Sequence, residues 1–410
     1  MVNVFSLSKK RVSSLLGGLL LALAGQSYGN ELTGYLAVES RSFFSDALYT
    51  DQSDYGASAS AEVEYYHDWD DYRQRFVATA YARWDPEDSE RSHGDIRELY
   101  WWREFEEFEV YAGVRKVFWG VTETVHLVDV INQDDAVENL DGEDKLGQPM
   151  ISVLMERDWG TLEAFALLGF RERAFAGDNG RLRGPLVVDD DKALYQSGAG
   201  DKHIDLALRW SQVFGDWDLG VSHFMGTARD PQLLLDAGAA ASEQSQPLGL
   251  RPYYAQIQQT GLDVQATLGD WLWKLEAISV KQKGEDRQSA AVGGFEYTFV
   301  GISDSAADLG VLLEYQFDDR RGLTETTAQN DIALGARWVL NDIQSTEVLA
   351  ALSVDLDNGS RFASVEASRR LGDKWLLEAE LRLFSNTADD DPAYTLRDDD
   401  YLQLELRRYF

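Results

Sequence analysis

Residues 399–410, with the sequence DDYLQLELRRYF, limit most strongly what this chain can fold into. The apolar residues of this segment share one parity, at Leu402, Leu404, Leu406 and Phe410, whereas mainly polar residues occupy the other. A period of two indicates a β-strand with one apolar face. In water that face needs a core to pack on. In a lipid bilayer it needs only acyl chains, provided that the sheet closes and leaves no open edge.

The composition favours a membrane protein that crosses the bilayer with β-strands rather than with helices. After residue 24 no apolar stretch approaches the roughly 20 residues of a transmembrane helix, so a helical membrane protein is excluded. The aromatic fraction is 12%, which suits the two interfacial girdles of a β-barrel. A net charge of −33 argues against nucleic-acid binding. Because the chain contains no Cys, disulfides and thiolate metal sites are excluded.

The first 24 residues have the pattern of a secretory signal peptide. Lys9, Lys10 and Arg11 form a basic region, and the apolar run of residues 15–24 follows it. This run is too short to span a membrane and ends in an Ala-Leu-Ala cleavage pattern. We therefore expect cleavage after residue 24 and a single mature domain of residues 25–410.

Alternating segments recur along the mature chain, and we interpret them as about 18 antiparallel strands. Sixteen strands are the alternative, because barrels of this kind prefer even numbers. In residues 55–66, for example, Ala and Val alternate with Ser and Glu. Residues 96–103 and 148–157 alternate poorly, so either segment could be irregular. A soluble all-β solenoid or sandwich remains as the alternative fold class.

The connections between these segments are short, then long, then short again. Pairs such as Gly215 and Asp216, or Gly372 and Asp373, are typical of tight hairpins. The long polar connections are residues 117–148, 172–202, 227–252 and 386–398. Short turns at one end and long loops at the other are typical of transmembrane β-barrels.

A terminal strand that ends in an aromatic residue resembles the closing strand of Gram-negative outer-membrane β-barrels of the porin-like superfamily. Arg408 departs from that pattern, because it occupies an apolar position. The resemblance implies an outer membrane rich in lipopolysaccharide around the chain. It also implies an assembly machinery that reads Phe410, and it leaves a homotrimer open. A weaker likeness is to alginate-export channels, which have an Arg-rich lumen, and to uncharacterised porin-like barrels.

If the apolar parity faces lipid, the charged parity lines a water-filled lumen. The opposite orientation would cost about 2–4 kcal/mol for each Arg near the bilayer midplane. These charges could act on a passing solute or merely satisfy one another across strands. The candidate pore-lining residues are Glu62, Glu64, Arg73, Arg75, Arg83, Glu109, Arg115, Arg209, Glu366, Arg370, Glu378, Glu380, Arg382, Glu405 and Arg407.

The connection of residues 117–148 is the most distinctive loop, because it contains an apolar patch at residues 125–131. An apolar patch in a polar loop needs a surface to pack on, and the inner wall of the barrel is the nearest. The loop resembles the third loop of general porins, which folds inward and narrows the pore. An ordinary extracellular loop is the alternative. The candidate constriction residues are Trp119, His126, Asp129, Asn132, Asp134 and Asp135.

These features predict a passive porin for small polar or charged solutes. The alternatives are a substrate-dedicated export or uptake barrel, for example for an anionic polysaccharide, and a non-conducting structural or receptor barrel. The five His residues lie in no recognisable catalytic motif, so we expect no enzyme. The acidic runs lack the spacing of known Ca²⁺ loops, so we expect no metal and no cofactor.

Overall fold

The computed structural model describes residues 30–236, 248–320 and 326–410 of the chain. The predicted signal peptide, residues 1–24, lies outside the described residues. An antiparallel sheet of eighteen strands dominates the described part. Its strands are β1 (Asn30–Phe43), β2 (Tyr55–Trp69), β3 (Gln74–Trp84), β4 (Gly94–Glu104), β5 (Glu109–Arg115), β6 (Gln148–Arg157), β7 (Gly160–Leu168), β9 (Ile204–Phe214), β10 (Trp217–Thr227), β13 (Gln256–Leu268), β14 (Trp271–Gln282), β15 (Arg287–Phe299), β16 (Asp308–Asp318), β17 (Asn330–Val339), β18 (Glu347–Asp355), β19 (Arg361–Leu371), β20 (Trp375–Ser385) and β21 (Tyr401–Tyr409).

The sheet closes on itself because β1 pairs with both β2 and β21. In the β1–β21 pair, Val38 lies opposite Leu406 and Glu39 lies opposite Glu405, so like faces meet across the seam. Every strand therefore has a partner on each side, and the barrel has no open edge. The predicted all-β barrel of 18 strands is confirmed, and the alternative of 16 strands is wrong.

The connections differ in length between the two ends of the barrel. At the end where β1 begins, tight turns join β6 to β7 and β9 to β10, and Gly215 adopts the left-handed region there with a φ of 64°. At the opposite end lie residues 116–147, 169–203 and, in the described part of the next connection, 228–236 and 248–255. The two latter loops pair in a small sheet of β8 (Leu194–Tyr195), β11 (Gln232–Asp236) and β12 (Gly249–Tyr254). No helix among the described residues is long and apolar enough to cross a membrane.

The two poorly alternating segments both form strands, but only one is irregular. Residues 148–157 form the regular strand β6. In contrast, the register of β4 shifts opposite Thr79 and Ala80, so one extra residue forms a β-bulge at Arg97. The bulge turns the Arg97 side chain inward, where it is buried.

Alternation separates an apolar outer face from a polar inner face along each strand. On β1, Val38 is 58% exposed, whereas its neighbour Glu39 is only 4% exposed and lies inside the barrel. Aromatic side chains gather on the outer face near the short turns; Trp271 and Tyr297, for example, have ring centroids 4.7 Å apart. Such a cluster is typical of the interfacial girdle of a membrane barrel.

The assignment of the outer and inner faces can be tested with two neighbouring residues of one strand, one facing lipid and one facing the lumen. Leu352 on β18 points outward and is 42% exposed, while its neighbour Ala351 lines the lumen. We expect Leu352→Arg to lower the free energy of unfolding in phosphatidylcholine vesicles by about 2–4 kcal/mol, because it places a charge in lipid. The matched control Ala351→Arg should change it by less than about 1 kcal/mol. Guanidinium unfolding of both variants measures the difference, and equal destabilisation would contradict the assigned faces.

Candidate pore and the loop that crosses it

The structure places fourteen of the fifteen candidate pore-lining residues on the inward parity of their strands. These are Glu62, Glu64, Arg75, Arg83, Glu109, Arg115, Arg209, Glu366, Arg370, Glu378, Glu380, Arg382, Glu405 and Arg407. Arg73 is the exception, because it lies in the turn before β3 and forms an exposed ion pair with Asp70 at 3.2 Å. It therefore belongs to the rim of the barrel rather than to its wall.

Many of the inward charges pair with one another. Arg115 contacts Glu163 at 2.7 Å, and Arg209 holds both carboxylate oxygens of Asp263 at 2.6 and 2.8 Å. A buried charge without a partner is strongly destabilising, so these pairs are needed to keep the wall folded. Cross-strand pairing thus accounts for part of the charged lumen.

The connection between β5 and β6, residues 116–147 and called the inward loop below, packs its apolar residues on the inner wall. Val128, Val130 and Ile131 are buried in a cluster with Phe165, Leu167 and Phe224, which face inward from β7 and β10. Trp119 joins this cluster and makes an edge-to-face contact with Phe165 at 5.7 Å between ring centroids. The apolar patch therefore contributes a small core inside the barrel.

Side-chain amides and carboxylates fix the two arms of the inward loop. Asn132 accepts a hydrogen bond from the Val117 amide and donates to the carbonyls of Arg115 and Leu146. Asp129 accepts from the amides of Trp119 and Gly120 at 2.6 and 3.0 Å. These bonds bring the beginning and the end of the loop together.

Two carboxylates on the far wall hold the tip of the inward loop. Glu276 on β14 accepts from the amides of Val121 and Thr122 at 2.7 and 3.0 Å, and from that of Val128 at 3.1 Å. Glu314 on β16 accepts from the amides of Glu123 and Thr124, at 2.8 and 3.0 Å. The loop consequently reaches from β5 to β14 and β16, across the lumen.

Sequence analysis missed Glu276 and Glu314. Both occupy polar positions within alternating strands, so parity could have placed them on the lumen wall. Their role as acceptors for loop amides depends on the path of the loop, which is separated from them by about 150 residues or more. No local pattern carries that information.

His126 forms a charged link between the tip of the inward loop and its returning arm. Its Nε2 lies 2.6 Å from Glu143, and its Nδ1 lies 3.8 Å from Glu276. Burial disfavours the charged imidazole, but the hydrogen bond to Glu143 and the nearby carboxylate of Glu276 outweigh it and raise the pKa of His126 to about 10. At neutral pH, His126 is therefore a cation between two carboxylates.

The returning arm of the inward loop meets a group of arginines on β3 and β4. Arg83 contacts Glu138 of the loop at 2.8 Å and also Glu39 of β1 at 2.8 Å. Arg97 contacts Asp135 at 3.3 Å. All of these charged side chains are buried. Each of them is compensated, so the loop is locked to the wall by charge-assisted bonds.

His93, Asp135 and Glu138 lie close enough to hold a metal ion, since their ligand atoms are all within 4.8 Å of one another. The electrostatics disfavour this use. Burial lowers the pKa of His93, but the nearby carboxylates of Asp135 and Glu138 raise it to about 9. The protonated ring has no lone pair for a metal, and Arg83 and Arg97 already occupy the two carboxylates. The residues present therefore fit a buried salt-bridge cluster better than a metal centre.

Asp134 lies on the side of the inward loop that faces the long extramembrane loops. It forms ion pairs with Lys145 of the same loop and with Arg173, the latter at 2.9 Å. Of the six candidate constriction residues, the structure thus brings Trp119, Asp129 and Asn132 together at the base of the loop. His126 lies at its tip, and Asp134 and Asp135 lie in the returning arm.

A cavity of about 850 Å³ remains between the inward loop and the wall formed by β13–β20. On one flank Glu123 of the loop pairs with Arg337 of β17, and on the other Asp141 pairs with Arg382 of β20 at 3.1 Å. Between them the wall carries the small side chains of Ala351, Ser353 and Ser364 among others. The space between the two contacts is the candidate passage.

Comparisons with known proteins address the fold. No protein-family model matches the chain, and no curated protein is similar enough to be matched. Wzi, an outer-membrane protein involved in group 1 capsule assembly in Escherichia coli and a carbohydrate-binding β-barrel, is similar in structure. Its TM-score is 0.53 at 12% identity, over 97% of this chain and 88% of Wzi. A variant of the Rhodopseudomonas blastica porin aligns over 93% of this chain and 100% of its own, with a TM-score of 0.45 and 13% identity. The likeness to Wzi shows the fold alone, that of a β-barrel.

The buried ion pair between Glu138 of the inward loop and Arg83 of the wall leads to a prediction about stability. Glu138→Gln leaves Arg83 with less negative charge in a buried site, so we expect the free energy of unfolding to fall by about 3 kcal/mol. The matched control is Glu107→Gln, which removes a Glu–Arg pair at the barrel rim where Glu107 is exposed; the expected change is below about 1 kcal/mol. Guanidinium unfolding in vesicles compares the two. A Glu138 variant as stable as the control would show that the buried lock is unimportant.

Asp141 provides a pH-dependent charge at the passage. Burial raises the pKa of Asp141 to about 6, and Arg382 opposes this effect. The carboxylate is therefore charged above pH 6 and neutral below it, so any preference of the passage for cations should weaken between pH 7 and pH 5. We expect Asp141→Asn to remove this part of the pH dependence. Reversal potentials across a KCl gradient at pH 5, 6 and 7 measure it, and identical titrations of both proteins would refute the assignment.

Proposed function

We propose that this protein is an outer-membrane porin, a passive diffusion channel for small polar or charged solutes. The observation that carries the proposal is the cavity of about 850 Å³ between the inward loop and the wall of small side chains on β17–β19. A closed barrel with an apolar outer face and a polar lumen gives water a route through a bilayer. The inward loop narrows that route without filling it.

The charge distribution favours cations over anions in this channel. Eleven carboxylates, six Lys or Arg side chains and His126 line the cavity. The net charge of the whole chain is −33, so the loops at the mouths are also acidic. A surplus of one sign concentrates ions of the opposite sign, most strongly when salt is dilute.

A second candidate function is a barrel dedicated to a polysaccharide. Wzi binds carbohydrate, and the inner wall of this chain carries aromatic rings near the short turns. Trp102 and Tyr111 have ring centroids 6.4 Å apart, and those of Tyr100 and Tyr111 are 6.0 Å apart. Flat aromatic faces can stack on sugar rings. In this case, the inward loop would retain a chain rather than limit the flow of ions.

Single-channel recording in planar bilayers distinguishes the two candidates. Large, steady conductance steps in KCl that a soluble oligosaccharide does not interrupt support the porin. Steps that the oligosaccharide blocks at low concentration support the dedicated barrel. Silence from protein that still migrates as a folded, heat-modifiable band would refute both transport functions and leave a structural or receptor barrel.

The acidic surplus predicts how selectivity depends on salt. The Debye length is about 10 Å at 0.1 M salt and about 3 Å at 1 M, so acidic mouths act on ions across the opening only in dilute solution. We expect clear cation preference in 0.1 M KCl that fades toward neutrality in 1 M KCl. Reversal potentials at both concentrations measure this change. Anion preference in dilute salt would contradict it and would favour a channel for an anionic polymer.

A further inference from the structure

Two phenylalanines face the lumen side by side, where the alternation of the barrel places mainly polar residues. Phe362 of β19 lies opposite Phe384 of β20, with ring centroids 5.3 Å apart. They share the parity of Glu366 and Arg382, which pair with each other at 2.6 Å inside the barrel. Phe362 is 38% exposed. Phe384 is only 7% exposed, so the open apolar surface of the pair is the part of Phe362 that Phe384 does not cover. Covering this part would gain free energy.

The surroundings of these rings extend the apolar surface. Leu349 of β18 and Leu396 of the last long loop line the same cavity, and so do Ala333 and Ala351. The volume of about 850 Å³ is ample for an organic molecule of moderate size. A pore that passed only hydrated inorganic ions would not need this apolar surface.

Three carboxylates lie in the same cavity, next to the rings. Asp331 of β17 lies directly opposite Asp355 of β18, and the Asn358 side chain donates to both Asp355 and Asp391 at 3.1 Å. Asp331 accepts from Ser353, while Asp355 and Asp391 accept from backbone amides of their own loops. No ion pair among the described residues involves any of the three. Like charges placed directly opposite each other are destabilising, and a bound cation would remove that cost.

From this combination we infer that the cavity binds an amphipathic organic cation, with its apolar or aromatic body on Phe362 and Phe384 and its ammonium group towards Asp331, Asp355 and Asp391. The inference deepens the proposed function, because it rests on the passage and names a class of solute for it. Ring stacking and cation–π attraction contribute to the first contact. The acidic surplus of the cavity selects the sign of the charge.

Benzyltrimethylammonium is the probe, and its binding to the detergent-solubilised full barrel is measured by calorimetry, together with its block of KCl current. We expect at least about tenfold weaker binding for tetramethylammonium, which lacks the ring, and for benzenesulfonate, which carries the opposite charge. Phe362→Ala and Asp331→Asn should each raise the Kd about tenfold. Phe362→Leu keeps an apolar side chain and should have a smaller effect. Heat-modifiable migration verifies that each variant is folded.

The matched controls keep the same chemistry away from the cavity. Phe214→Ala alters a ring exposed on the outer face of β9, and Asp270→Asn alters an exposed turn; neither should change the Kd. Equal affinity for benzenesulfonate, or an unchanged Kd in Phe362→Ala, would overturn the inference. A channel that conducts KCl but does not bind the probe would refute the inference and leave the porin standing. Binding by a silent barrel would support the inference and refute the porin.

Discussion

The structure depends first on the need to pair every backbone amide and carbonyl that would otherwise face lipid. An unpaired group in hydrocarbon costs several kcal/mol, so a sheet can cross a membrane only if it closes. The pairing of β1 with β21 meets that requirement at the seam. Closure also fixes the two faces of all eighteen strands, because a shift by one residue would exchange them. The polar lumen therefore follows from closure, because the apolar faces of the strands must all point towards lipid.

Closure creates an interior that a barrel of eighteen strands does not fill with its own side chains. The inward loop occupies much of that interior, and two kinds of contact hold it. Val128 and Ile131 bury apolar surface on one side of the wall. Glu276 and Glu314 accept loop amides on the other. Because the apolar contacts and the two carboxylates lie on different strands, the inward loop spans the lumen. The remaining passage is the cavity between the loop and the wall formed by β13–β20.

The sequence predicted the fold well because strand parity is a local property. Alternation in residues 55–66 and 399–410 was enough to assign the faces of β2 and β21, and the bulge at Arg97 explains why residues 96–103 alternate poorly. The apolar patch of residues 125–131 likewise indicated an inward loop. The contacts of the site are a different matter. That Glu138 meets Arg83 depends on the path of the loop and on the stagger of the barrel, and neither is encoded near these residues. Arg73 shows a similar limit, because the sequence does not fix where a strand begins. The strand β3 starts at Gln74, so Arg73 lies in the preceding turn.

The charged side chains of the lumen therefore fall into two groups, those that have oppositely charged or hydrogen-bonding partners and those that lack an oppositely charged partner among the described residues. Arg83 and Glu276 are held by several partners, and Arg209 is held by both carboxylate oxygens of Asp263. These charges serve to keep the barrel and the loop in place. Asp331 and Asp355 lie directly opposite each other, and neither forms an ion pair within the described part of the chain. A paired charge presents little net field to a passing solute, whereas an unpaired one keeps its full attraction. The uncompensated carboxylates near Phe362 should therefore add to the cation preference that the acidic mouths produce, whereas the paired arginines of the lumen should contribute little.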